Sequence, residues 1–142
     1  MNRPGSQIAS LIAQLRGRIN AFLLSRLAEE GITGLAPSHG AIFVVLFHDG
    51  PQPMMALSEK IRRDKSTLTV LVRKLENLGY VRREPDGADK RVSIIHLTEK
   101  GLQFQALFES ISGELIDKIW GETPLEERRA IDDTLKKMLE RV

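Results

Sequence analysis

The chain has 142 residues, 42% hydrophobic and 28% charged, which is the size and composition of one ordinary globular domain. It has no cysteine, which excludes disulfides, thiolate metal sites and thiol redox sensing, and no apolar run approaches the roughly 20 residues a membrane span needs. The net charge is only +2, yet residues 58–91 hold ten Lys/Arg against six Asp/Glu: a +4 middle in a −2 body, read either as a polyanion-binding face or as a solvated surface.

The N-terminus, "MNRPGSQIAS", has no signal-peptide apolar region, so the expected compartment is cytoplasmic. Residues 6–30 predict a long helix. Ile8, Leu11, Ile12, Leu15, Ile19, Phe22, Leu23 and Leu27 recur at three and four, while Arg16, Arg18 and Arg26 fall off that stripe. Gly31 and Gly34 end it. Ser38, after Pro37, is the expected N-cap of a second helix over 39–48, apolar nearly all round and hence central and buried. "DGPQP" breaks that helix.

A short helix is expected over 57–62. Asp64 then caps a helix over 65–78, with Leu68, Leu71, Val72, Leu75 and Leu78 on one face. Lys65, Ser66, Thr67, Thr69, Val70, Arg73 and Lys74 lie off that stripe, and Gly79 closes the helix. "YVRREP" and "RVSIIHL" predict two antiparallel strands joined by a loop of about five or six residues. Thr98 opens a helix to 120 striped by Phe104, Leu107, Phe108, Ile111, Leu115 and Ile119. Thr123, Pro124, Leu125 and Glu126 read as a capping box with Pro at the first helical position, opening a last helix to 141. The fold class is therefore mainly α with a small β-hairpin, in the order α-α-α-α-β-β-α-α. A winged helix-turn-helix spans about 37–100, between terminal helices at about 6–30 and 101–141.

A helix-turn-helix presents the start of its second helix to the major groove. Ser66, Thr67 and Thr69 can exchange hydrogen bonds with base edges, a Thr methyl can meet a thymine methyl, and Arg73 and Lys74 can reach phosphate or guanine. The competing reading is an amphipathic core helix with a solvated polar face. The hairpin after it is a wing whose tip, "PDGADKRV", can put Arg91 into a narrow minor groove. Asp89 can brace that guanidinium, and Lys90 is a phosphate contact or a plain solvated lysine. An ordinary charged hairpin tip is the alternative.

Residues 57–101, "LSEKIRRDKSTLTVLVRKLENLGYVRREPDGADKRVSIIHLTEKG", resemble the winged helix-turn-helix of the MarR family of bacterial regulators. "DKSTLT" and "LVRKLENLGYV" look like its recognition helix, "DKR" is similar to its wing signature, and "LTEKG" looks like the start of its next helix. The flanking helix lengths extend the resemblance over nearly the whole chain. It implies a homodimer in which the first helix and the last two interlock. The two winged domains would then reach successive major grooves of near-palindromic double-stranded DNA. Ser66, Thr67, Thr69 and Arg73 correspond to major-groove contacts and Arg91 to the wing arginine, oriented by Asp89. Val70 departs from a usually polar or basic position, and the wing is rich in acids: Glu84, Asp86 and Asp89. The missing cysteines exclude the family's thiol-peroxide-sensing branch.

The resemblance also implies a small aromatic or anionic effector between the dimerisation and DNA-binding parts. That places it near His39, Phe43, Phe47, Phe104 and Phe108, with Arg16 or Arg18 available to a carboxylate; the ordinary reading of those aromatics is core. The expected function is a DNA-binding repressor released by a ligand. The alternative is a ligand-sensing or protein-interaction module that no longer reads DNA. No cofactor is implied, and no paired carboxylates, phosphate loop, metal spacing or nucleophile elbow point to an enzyme.

Overall fold

The computed structural model describes residues 3–142. Its elements are α1 (Ile8–Glu29), a 3-10 turn (Pro37–His39), α2 (Gly40–Asp49), β1 (Gln52–Pro53), α3 (Met54–Ile61), α4 (Lys65–Asn77), β2 (Val81–Pro85), β3 (Ser93–Leu97), α5 (Glu99–Trp120) and α6 (Leu125–Arg141). The order agrees with the expected mainly helical winged helix-turn-helix. The sheet differs: it has three antiparallel strands ordered β1-β3-β2, not a bare hairpin. Gln52 and Pro53 pair with Ile95 and Ile94, so "DGPQP" supplies a short edge strand instead of only a break. An edge tolerates Pro53 because no ladder donor is required on its outer side.

The core lies where α2, α3, α4 and the sheet meet. Ile42, Phe43, Leu57, Leu68, Val72, Leu75 and Ile95 are fully buried, and Tyr80, Val81 and Phe104 complete the cluster. Leu68, Val72 and Leu75 are the inward residues of the predicted α4 stripe. α2 is buried on one face only: Ile42, Phe43 and Leu46 point inward, while Val44 is 53% exposed. Neither α1 nor α6 has a buried residue in the single chain.

Two caps differ from expectation. Ser38 sits inside the 3-10 turn, and the cap there comes instead from His39, whose Nδ1 accepts from the Ala36 amide at 2.9 Å. Thr123 makes no capping box. The Pro124 carbonyl accepts the first helical bond, from the Arg128 amide at 3.0 Å, so Pro124 is the N-cap and Thr123 lies one residue too early. Arg128 serves that end, donating from Nε to the Thr123 carbonyl at 2.8 Å and from Nη2 to the Gly121 carbonyl at 3.1 Å.

The junction between α5 and the winged part is tightly bonded. The Thr98 amide donates to Tyr80 O at 3.0 Å, and the Thr98 hydroxyl donates to Gly79 O and accepts from the Gly101 amide. Lys100 Nζ donates to Leu78 O at 2.6 Å and stands over the Tyr80 ring. Further along, Arg26 on α1 grips Glu114 on α5 with Nε and Nη2, at 2.7 and 3.2 Å.

Candidate nucleic-acid interface

Asp64 organises the first turn of α4. Its Oδ1 accepts from the Thr67 amide at 2.7 Å and from the Ser66 hydroxyl at 3.0 Å. Those bonds, the Thr67 amide foremost, hold its carboxyl below the ordinary range, so it stays an ionised cap at neutral pH. Thr69 Oγ1 donates to Lys65 O at 2.7 Å. The Ser66 and Thr69 protons are thus engaged internally, which leaves both oxygens as acceptors toward a partner. Val70 is 66% exposed on the same open face. Lys65, Arg73 and Lys74 are exposed, and none has a carboxylate within ion-pair distance among the described residues.

The wing tip is a folded loop, seven residues long where five or six were expected, because β3 begins at Ser93. The Asp86 amide donates to Val92 O at 2.8 Å, and Asp86 Oδ1 accepts from the Ala88 amide. Asp89 accepts from Arg91 three times: from the amide at 3.0 Å, from Nε at 3.2 Å and from Nη2 at 3.4 Å. The Arg91 side chain holds the Asp89 carboxyl below its usual range, while remaining 92% exposed itself. Asp89 therefore aims Arg91 outward and neutralises part of its charge. Lys90 is exposed beside it. Glu84, the remaining wing acid, pairs with Arg82 and with His96 Nε2.

Helix and wing converge on one cleft of about 430 Å³, lined by Met54, Met55, Lys65, Thr69, Arg83 and Arg91 among others. Lys65, Thr69 and Arg91 were expected there from the sequence. Met55, 74% exposed, and Arg83 were not. Met55 lay between the expected break, "DGPQP", and a helix expected only from 57; that helix starts at Met54 and so carries it. Arg83 Nη2 donates to Glu76 Oε1 at 3.0 Å, tying β2 to α4.

The expected effector residues separate into two places. His39, Phe43, Phe104 and Phe108 line an apolar cavity of about 60 Å³ with Leu23, Leu27 and Ile111. Phe43 packs on Phe104 and Phe108 at ring-centroid distances of 5.0 and 5.9 Å, so these aromatics are also core. Phe47 stacks on Phe43 but does not line the cavity, and Arg16 is not there either. Arg16 lines a second cleft of about 500 Å³ that also borders Pro37, with Asn20, Ser38, Ile61 and Arg63; Arg18 lines neither. His39 is 4% exposed, and its Nε2 has no hydrogen-bond partner among the described residues. Because Nδ1 accepts, Nε2 carries the proton of the neutral ring. Burial foremost, with help from the Lys74 charge, pushes the His39 pKa below the ordinary value.

A capped helix with an open polar face, set beside a wing with an outward arginine, defines a winged helix-turn-helix. Comparison with known proteins agrees. The family model described as the MarR family matches residues 35–93. The HTH-type transcriptional regulator MhqR of Bacillus subtilis is 35% identical over 69 residues, 49% of this chain and 48% of its own length. The chain thus spans about half the length of that curated relative. The transcriptional regulator BldR from Sulfolobus solfataricus is similar over 100% of both chains, with TM-score 0.74 and 27% identity. Overoxidized AbfR bound to DNA is similar over 98% of this chain and 94% of its own, with TM-score 0.73 and 25% identity. Residues 35–93 thus match the MarR family model, and MhqR and BldR are transcriptional regulators.

Proposed function

We propose that the protein is a homodimeric, cytoplasmic DNA-binding transcriptional regulator that represses from a near-palindromic operator and is released by a small ligand. The observation that carries this reading is the cleft uniting the first turns of α4 with Arg91 of the wing. Ser66, Thr67, Thr69, Val70 and Arg73 would face bases in the major groove. Lys65, Lys74 and Lys90 would meet phosphates, and Arg91 would enter the adjacent minor groove. AbfR, similar in fold, has been captured on DNA.

Dimerisation would use the terminal helices. Ile8, Leu11, Ile12 and Leu15 on α1 and Leu125, Ile131, Leu135 and Leu139 on α6 are all at least 39% exposed in the single chain. Ile8, Ile131, Leu135 and Met138 border one apolar groove of about 290 Å³. A two-fold dimer across that face would match a palindromic site.

The effector would be a small aromatic molecule seated against Phe43, Phe104, Phe108 and His39. The cavity, about 60 Å³, is far below the roughly 300–1,000 Å³ of small-molecule sites. Entry would therefore part α1 and α5 from the Pro37–His39 turn, changing the spacing of the two winged domains. Release becomes a shift between dimer states. An acid group on such a ligand would reach toward Arg16 and Arg63 across Pro37.

The test is fluorescence anisotropy with duplexes from the intergenic DNA beside the gene, against the same duplexes with shuffled sequence. Selective, salt-dependent binding to a segment containing an inverted repeat is expected. Equal binding to native and shuffled duplexes would remove the operator reading.

A further inference from the structure

Three helices of this chain end on the same hydrogen bond. After α1, the Ile32 amide donates to Leu27 O at 2.9 Å; after α4, the Tyr80 amide donates to Leu75 O at 2.9 Å; after α3, the Arg63 amide donates to Ser58 O at 3.2 Å. Closing a bond across six residues requires the residue before the donor to turn left-handed, a place glycine takes without steric penalty. After α1 that residue is Gly31, at φ 74°, and after α4 it is Gly79, at φ 85°. After α3 it is Arg62, at φ 54° and ψ 46°, the only non-glycine with positive φ among the described residues. The Ser58 hydroxyl, which donates to Arg63 O at 2.6 Å, ties the turn from the other side. The backbone there requires a left-handed residue whatever its side chain, and the chain places a long cation in it.

Its position in the fold supplies a reason. Arg62 stands at the corner between α3 and α4, two residues before the Asp64 cap and beside the positive end of α4. It is exposed, makes no side-chain hydrogen bond, and has no carboxylate within 4.0 Å among the described residues. Arg26, Arg82, Arg83 and Arg91, by contrast, are each held by an acid. The adjacent Arg63 is directed elsewhere, into the cleft against α1 with Arg16. Arg62 is thus an exposed, unpaired cation among the described residues, held in a left-handed backbone position at the corner that opens α4. Strain retained at one surface residue points to a role for its side chain.

We propose that Arg62 is a phosphate-contacting residue of the DNA interface, kept in a position that glycine would fill more stably. The proposal rests on the DNA-binding reading above, and its test separates the two. Arg62→Gly relaxes the backbone and removes the charge, so stability and binding should move in opposite directions. Its melting temperature should rise by roughly 2–6 °C. Its affinity for a mixed-sequence duplex should fall several-fold, and the slope of log K against log salt should flatten by about 0.9, one phosphate contact. Arg62→Lys, which keeps both strain and charge, should retain the wild-type slope and melting temperature. Wild-type affinity and slope in Arg62→Gly would overturn the contact, and an unchanged or lowered melting temperature would overturn the strain. A wild-type protein that binds no duplex at any salt would overturn the DNA reading and this proposal together, an outcome the unmutated control distinguishes from failure at Arg62 alone.

Discussion

Gly101→Ala should uncouple the winged domain from α5. Gly101 is buried in the first turn of α5, and a Cβ built on it would lie 2.2 Å from Tyr80 O and 3.0 Å from Leu97 Cδ2. The first neighbour is backbone and cannot rotate away, so reaching an ordinary carbon–oxygen contact of about 3.3 Å needs a shift of about 1 Å. That shift would stretch the Thr98 amide bond to Tyr80 O, now 3.0 Å, and lift Phe104 from Phe43 and Tyr80. Overpacking costs about 1–3 kcal/mol and a weakened hydrogen bond about 1 kcal/mol, offset by up to about 1 kcal/mol of helix propensity. The net loss is about 2 kcal/mol, or roughly 5–10 °C in melting temperature for a chain of this size. Thermal melts followed by far-ultraviolet circular dichroism give the number directly. A variant melting within about 1 °C of wild type would refute the reasoning, since the contact would then have relaxed at no cost.

Arg91→Ala should weaken operator binding several-fold and flatten the salt slope by about 0.9 in anisotropy titrations, with little change in melting temperature because the side chain is 92% exposed. His39, buried and neutral, should make the protein less stable in acid. Its folded pKa lies below the unfolded value, so the unfolded chain takes up the proton first and stability falls as pH drops below about 6.5, by at most about 1.4 kcal/mol per pH unit. Urea unfolding of wild type and His39→Gln at several pH values checks this; the variant should lose that part of the slope, and parallel curves would show that His39 does not titrate with folding. Leu135→Glu places a charge on the apolar groove of α6 without touching the core, since Leu135 is 40% exposed in the single chain. Sedimentation velocity should show the wild type as a dimer and the variant shifted toward monomer with its helical content intact.

The most legible parts were those governed by neighbours three and four residues away. The α4 stripe of Leu68, Val72 and Leu75 went to the core as its spacing required, and Asp64 capped the helix as an aspartate before a helix does. The parts that were missed depend on partners distant in sequence or on turn geometry. β1 is two residues long and exists because Ile94 and Ile95 pair with it. The His39 cap needs a 3-10 turn that places Nδ1 over the Ala36 amide. The division of the effector residues into an apolar cavity and a separate arginine cleft depends on where Pro37 stands between them. Periodicity states which face a residue occupies, and not its distance from a residue on another element.

The charge pattern illustrates the same limit and sharpens the functional reading. Counted along the chain, the acids of residues 58–91 seemed to dilute the cations. In the structure five of the six are engaged: Asp64 caps α4, Glu76 holds Arg83, Glu84 holds Arg82 and His96, Asp86 binds the Ala88 amide and Asp89 braces Arg91. The Glu84 pairing needs the strand register, in which Arg82 stands opposite His96 and Glu84 lies two residues on, diagonal to it. Within residues 58–91, the cations without an ion-pair partner among the described residues are Arg62 at the helix corner, Arg63 beside it but turned toward α1, Lys65, Arg73 and Lys74 on α4, and Lys90 on the wing. Within that segment, internal pairing leaves the free positive charge on the corner, the recognition-like helix and the wing tip. A solvated surface of mixed charge has no reason to neutralise its acids internally while leaving its cations open. A face that must receive phosphates does, because each unpaired acid there would repel the ligand while each unpaired cation can release a counterion on binding.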